Sequence, residues 1–253
     1  MSSEEEKKEN TTEENGEEAE MSFFDHLEEL RWRIIYSLIG IVVGTIIAWI
    51  FIDQLVNFIL LKPAQDAHAE LQNLKPFGQI FLYVQVAIIF GVVLSIPNIF
   101  YQFWKFIEPA LHKKEKKYVL SVVIFSSICF LTGIVFAYYV LLPLAMQFFA
   151  QFGTEAIKNN FAINEYMNII ISVMLGAGLV FELPMLSFFL TKLGILTPAF
   201  MRRYRRYALV IILFFAAMLT PPDPVSQLIL AVPLVLLYEI SIFISKISQR
   251  KSD

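Results

Sequence analysis

Few residues in this chain can do chemistry, and the most informative of them is an acid inside an apolar run. Glu182 stands in Val180-Phe181-Glu182-Leu183-Pro184, near the middle of a long aliphatic and aromatic stretch. An ionised carboxylate in hydrocarbon is costly, so such a group faces a polar cavity, pairs with a partner or keeps its proton. The alternative is a structural hydrogen bond to backbone freed by Pro184. Two further acids, Glu29 and Glu115, are far apart in sequence, yet each stands at the foot of an apolar run among cations. Arg31 and Arg33 lie beside the first, and Lys113, Lys114, Lys116 and Lys117 surround the second. Together the two acids could receive a cation. Separately, Glu29 could pair with Arg33 at i, i+4, and Glu115 could offset a helix dipole. Glu239 lies within two helical turns of Lys246, which suggests an interfacial ion pair. Thr220 and Gln227 bracket the rigid turn Pro221-Pro222-Asp223-Pro224, and their hydroxyl and amide could bond a partner helix within a membrane.

No Gly-rich phosphate loop, metal-ligand spacing or nucleophile elbow is present, and His26, His68 and His112 are scattered. The lone Cys129 sits in an apolar run, so no intrachain disulfide forms and no thiolate cluster is suggested. The expectation is a protein with no catalytic residue, no metal and no cofactor.

The elements that position these residues are set by composition. Apolar residues make up 57% and charged residues 17%, against roughly 25% charge in a soluble domain, which makes lipid the solvent. Nine of the 23 acids fall in the first twenty residues, which have no aromatic and almost no aliphatic side chain. Residues 1–21 are therefore expected to be a disordered acidic tail. Ser22 to Asp25 resembles a capping box, and Phe23, Leu27, Leu30 and Ile34 then recur at helical spacing, which predicts a short amphipathic helix at the membrane surface. Residues 22–253 otherwise form one all-α integral membrane domain with six spans near 34–52, 80–103, 119–142, 167–190, 207–219 and 225–244. The fifth is short for a span. Pro97, Pro143, Pro184 and Pro233 predict kinks, hence a concave bundle.

Lys and Arg set the orientation. They crowd the segments after the second and fourth runs and the C-terminal end, whereas Lys62, Lys75 and Lys158 alone fall on the other side. Both termini are expected to be cytoplasmic.

Several longer motifs then resemble one family. His26-Leu27-Glu28-Glu29-Leu30-Arg31 precedes the first run, and Tyr101-Gln102-Phe103-Trp104-Lys105-Phe106-Ile107-Glu108-Pro109 follows the second. Phe136-Ala137-Tyr138-Tyr139 with Pro143-Leu144-Ala145, Phe181-Glu182-Leu183-Pro184, and Leu219-Thr220-Pro221-Pro222-Asp223 with Ser226-Gln227 complete the set. In order and spacing these resemble TatC, the multi-spanning receptor subunit of the twin-arginine protein translocase, from Phe23 to the C-terminus. Pro224 departs from the pattern, which places an aliphatic residue after the turn acid.

The resemblance implies a bacterial cytoplasmic-membrane receptor that binds the paired-arginine signal peptides of folded precursors and recruits TatA- and TatB-type single-span subunits, in an assembly holding further copies of itself. It implies signal binding at Glu29 and Glu115 with Arg31 and Phe106 nearby. Glu182, Thr220 and Gln227 would meet partner helices, and Pro221, Pro222 and Asp223 would form the outer turn. Guanidinium suits such acids because its planar fork holds a carboxylate through two bonds. The alternatives are a proton-coupled secondary transporter working through Glu182 and a passive scaffold for other membrane subunits.

Overall fold

The computed structural model describes residues 2–108, 119–151, 160–192, 194–219 and 224–250. Helix α1 (Ser2–Ile50) leads into the short α2 (Ile52–Gln54), a π-helical turn at Leu55–Leu60, α3 (Lys62–Asp66) and strand β1 (Glu70–Gln72). Helix α4 (Gly78–Ile107) returns antiparallel to α1. Helix α5 (Val119–Phe136) passes through a second π turn, Ala137–Leu141, into α6 (Leu142–Gln151), after which β2 (Asn160–Ala162) pairs with β1. The second half comprises α7 (Ile163–Val180), α8 (Leu183–Lys192), α9 (Pro198–Arg203), α10 (Arg205–Leu219) and α11 (Pro224–Arg250).

Five stretches are long and apolar enough to cross a membrane: Phe24–Ile50, Gly78–Ile107, Val119–Ala150, Ile163–Lys192 and Gln227–Ile247. Only 11% of the first is buried inside the molecule and 44% of the most enclosed. Such faces are stable only against lipid. The sixth expected span corresponds to α10, whose 15 residues reach about 22 Å against a hydrocarbon core of about 30 Å.

Two boundaries differ from the sequence-based expectation. Helix α1 runs from Ser2 without a fresh start at Ser22. Glu and Lys are good helix formers, and no Pro interrupts the run. The surface helix is thus the foot of the first span. The third span does not stop at Pro143 either. The π turn ahead of it shifts the hydrogen-bond register, and the helix continues to Gln151.

Helices α1 and α4 touch backbone to backbone. A Cβ on Gly44 would lie 2.5 Å from the Gly91 carbonyl oxygen, and one on Gly91 would lie 2.6 Å from the Thr45 nitrogen. Only glycine fits at either position. Above this seam the two π turns are tied together. The Tyr138 hydroxyl donates to Ile59 O at 2.9 Å and the fully buried Tyr166 donates to Leu60 O at 2.6 Å. These carbonyls end the first π turn, where the helical ladder offers them no further donor. Strands β1 and β2 extend the same cap through a parallel three-residue ladder, Glu70 opposite Asn160, Leu71 opposite Phe161 and Gln72 opposite Ala162.

Replacing Gly91 tests the seam. Gly91→Val should destabilise the detergent-solubilised protein by about 1–3 kcal/mol through overpacking, read as a lower midpoint in thermal unfolding. An unchanged midpoint would show that α1 and α4 can separate without cost.

Candidate functional site

Glu29 sits one turn before Arg33 on α1, and the two form an ion pair of 2.9 Å with both side chains partly buried. This is the i, i+4 pairing that the spacing allows. Arg33 does not end there. Its second nitrogen donates to Gln102 Oε1 on α4 at 3.3 Å, Gln102 Nε2 donates to Asn98 Oδ1 at 3.4 Å, and Asn98 donates to the Tyr36 carbonyl at 3.1 Å. One turn further up α4, Ser95 donates to Gly40 O at 2.6 Å. A polar seam therefore climbs from Glu29 to Gly40 along the α1–α4 contact. Ser95, Asn98 and Gln102 recur at spacings of three and four in an otherwise apolar run, and this signal was available in the sequence.

At the foot of the seam, His26 stacks on Phe106 with ring centroids 4.4 Å apart and planes at 20°. Lys105 pairs with Glu108 at 2.7 Å. Glu29, His26 and Phe106 thus share one end of the bundle. Arg31 is exposed and lies two positions from both Glu29 and Arg33, so it projects from a different side of α1. Glu115 falls outside the described residues.

Glu182 occupies the break between α7 and α8. Pro184 has no N–H to offer the preceding turn, and the helix interrupts at Phe181-Glu182 before resuming at Leu183. The Ser126 hydroxyl and the Phe130 backbone of α5 lie beside the carboxyl group. Neither Glu182 Oε1 nor the buried Ser126 Oγ makes a hydrogen bond among the described residues. The structural alternative for Glu182, satisfaction by backbone freed at Pro184, therefore leaves one of its oxygens unsatisfied. Ser126 is a component that the sequence alone did not single out.

In the second half, Gln227 donates to Leu213 O at 3.1 Å and so binds α11 to α10. Thr220, Pro221, Pro222 and Asp223 lie outside the described residues. Glu239 pairs with Arg205 of α10, where the sequence favoured Lys246. Arg205 is 34 residues away along the chain but is brought alongside when α10 packs on α11, a proximity that helical spacing cannot reveal. Thr191 of α8 and Ser245 of α11 share a buried hydrogen bond of 2.7 Å, and Tyr238 donates to Met201 O at 2.8 Å, locking α9 onto α11.

These features define a polytopic helical membrane protein with a carboxylate at a broken helix and a second one at a cation-rich end. Residues 25–233 match the family described as Sec-independent protein translocase protein (TatC). The chain is 38% identical over 240 residues to the TatC protein of Desulforapulum autotrophicum, covering 94% of this chain and 88% of that one. It is 39% identical over 236 residues to that of Carboxydothermus hydrogenoformans, covering 93% and 97%. A crystal structure of the twin-arginine translocase receptor TatC superposes with a TM-score of 0.72 at 35% identity, covering 88% of this chain and 99% of that one. The chain belongs to the TatC family, and it is a non-enzymatic receptor component of the Sec-independent, twin-arginine protein translocase.

The Glu29–Arg33 pair can be measured directly. A double-mutant cycle of Glu29→Gln and Arg33→Gln on thermal unfolding should give a coupling of about 0.3–0.5 kcal/mol, typical of i, i+4 pairs. Zero coupling would mean that the two charges do not hold each other.

Proposed function

We propose that this receptor binds paired-arginine signal peptides at the end of the bundle that carries Glu29, with Glu115 as the second acid and with Phe106 and Arg31 flanking them. The observation that carries the proposal is the Arg33 guanidinium already seated on Glu29. A site that holds one arginine can hold another by exchange. The carboxylate is never left unpaired during that exchange, and the displaced Arg33 keeps Gln102 as an acceptor. Fork-like guanidinium matches the carboxylate in a way that an ammonium does not, which gives a physical reason for arginine over lysine. Two arginines in tandem would engage two acids.

Glu182 and the segment from Thr220 to Gln227 form the contact for TatA- and TatB-type single-span partners. The unsatisfied Glu182 and Ser126 oxygens support this reading, because a polar side chain of a partner helix would complete them. In this proposal α10 is a sixth, short span, and the bilayer thins beside it. The positive charges at Lys105, Lys192, Arg202, Arg203, Arg205 and Arg206 support a reading in which that end and both termini face the cytoplasm of a bacterial cell and the protein works as an oligomer in the inner membrane.

Photocrosslinking of a twin-arginine signal peptide to the full chain in native membranes tests the site. Glu29→Gln with Glu115→Gln should abolish the crosslink, and undiminished crosslinking in the double variant would defeat the assignment. Arg33→Gln should act in the opposite direction. It removes the resident competitor and should raise signal affinity by roughly twofold, since an i, i+4 pair is worth about 0.3–0.5 kcal/mol. Glu182→Ala should leave the signal crosslink intact while reducing co-purification of single-span partners.

A further inference from the structure

The receptor reading makes no use of a cavity at the cation-rich end of the second half. It measures about 350 Å³, opens at the α9–α10–α11 junction and is lined by Arg202, Arg205, Glu239, Ile242, Phe243 and Lys246. Three cations there face a single acid, and that acid is committed to Arg205. Among the described residues Arg202 and Lys246 make no ion pair, and both are exposed. Among the described residues the cavity thus carries a surplus of positive charge.

Its apolar wall gives the second half of the argument. Phe243 belongs to a ridge of exposed apolar residues on α11, Val232, Leu236, Ile240, Phe243 and Ile247, which recur every three or four positions along the lipid-facing side. Cations at the head of such a ridge reproduce the layout of a phospholipid, with a phosphate above a hydrocarbon chain. The junction is also held in shape. Tyr238 ties α9 to α11 and the Thr191–Ser245 bond fixes α8 to α11 beside it.

We propose that this cavity binds the phosphodiester of an anionic diacyl phospholipid of the phosphatidylglycerol class. Arg202 and Lys246 are the phosphate ligands, and an acyl chain lies along the Phe243 ridge. Glu239 pairs with Arg205 at the cavity, and among the described residues its other oxygen is available to accept from a headgroup hydroxyl. A phosphatidylcholine offers the same phosphate, but its quaternary ammonium brings a further positive charge among the cations and has no hydrogen to donate. A free inorganic phosphate would satisfy the cations and gain nothing from the ridge.

Native mass spectrometry of the full chain in neutral detergent, supplied with phosphatidylglycerol or phosphatidylcholine at equal concentration, reads the proposal. The wild-type protein should retain phosphatidylglycerol selectively, and millimolar inorganic phosphate should not displace it. Arg202→Gln with Lys246→Gln should weaken retention roughly 30-fold, from the loss of two surface cations. Lys246→Arg should preserve it, and so should Arg203→Gln, which removes an exposed neighbouring charge outside the cavity. Equal retention of both lipids, or displacement by inorganic phosphate, would overturn the proposal on the wild-type protein alone. An Arg203→Gln loss as large as that of the double variant would overturn it too, by reducing the effect to diffuse surface charge.

Discussion

A polar group inside hydrocarbon has no water to bond, and the architecture of this protein follows from where its polar groups find one another. The α1–α4 seam is the clearest case. Two helices brought into backbone contact by Gly44 and Gly91 place Ser95, Asn98 and Gln102 within reach of carbonyls and of Arg33 across the interface. Close approach and polar satisfaction are one requirement here, because longer side chains at the glycines would move the acceptors out of range. The same logic governs the first π turn, whose terminal carbonyls accept from Tyr138 and Tyr166.

Against that background the unsatisfied groups stand out. Glu182 Oε1, Ser126 Oγ and Arg33 Nε are buried side-chain atoms without a hydrogen-bond partner among the described residues. Two of them belong to one place, the break between α7 and α8 as it faces α5, and the third belongs to the residue that holds Glu29. Buried polar groups left incomplete cost stability. Both places are also those to which the receptor reading assigns outside partners, one a helix in the membrane and one a peptide at its surface. The Thr191–Ser245 pair, by contrast, is closed on itself.

Much of this was legible before any coordinates, and for identifiable reasons. Long apolar runs announce spans because lipid tolerates nothing else, and Pro184 next to Glu182 announces a break because proline removes one rung of the ladder. The i, i+4 pair of Glu29 and Arg33 follows from helical spacing alone. What escaped the sequence depends on contacts between elements. Glu239 has Lys246 at helical distance, yet it pairs with Arg205 because α10 folds back along α11. Ser126 gains meaning only from the carboxyl group that tertiary packing sets beside it.

The two tyrosine anchors also bear on how the chain reaches this state. Tyr138 and Tyr166 close onto carbonyls 79 and 106 residues earlier. During synthesis the turn at Leu55–Leu60 therefore emerges long before its donors exist. Completion of this cap waits until both tyrosines have been made, and it joins the first hairpin to the following pair of helices.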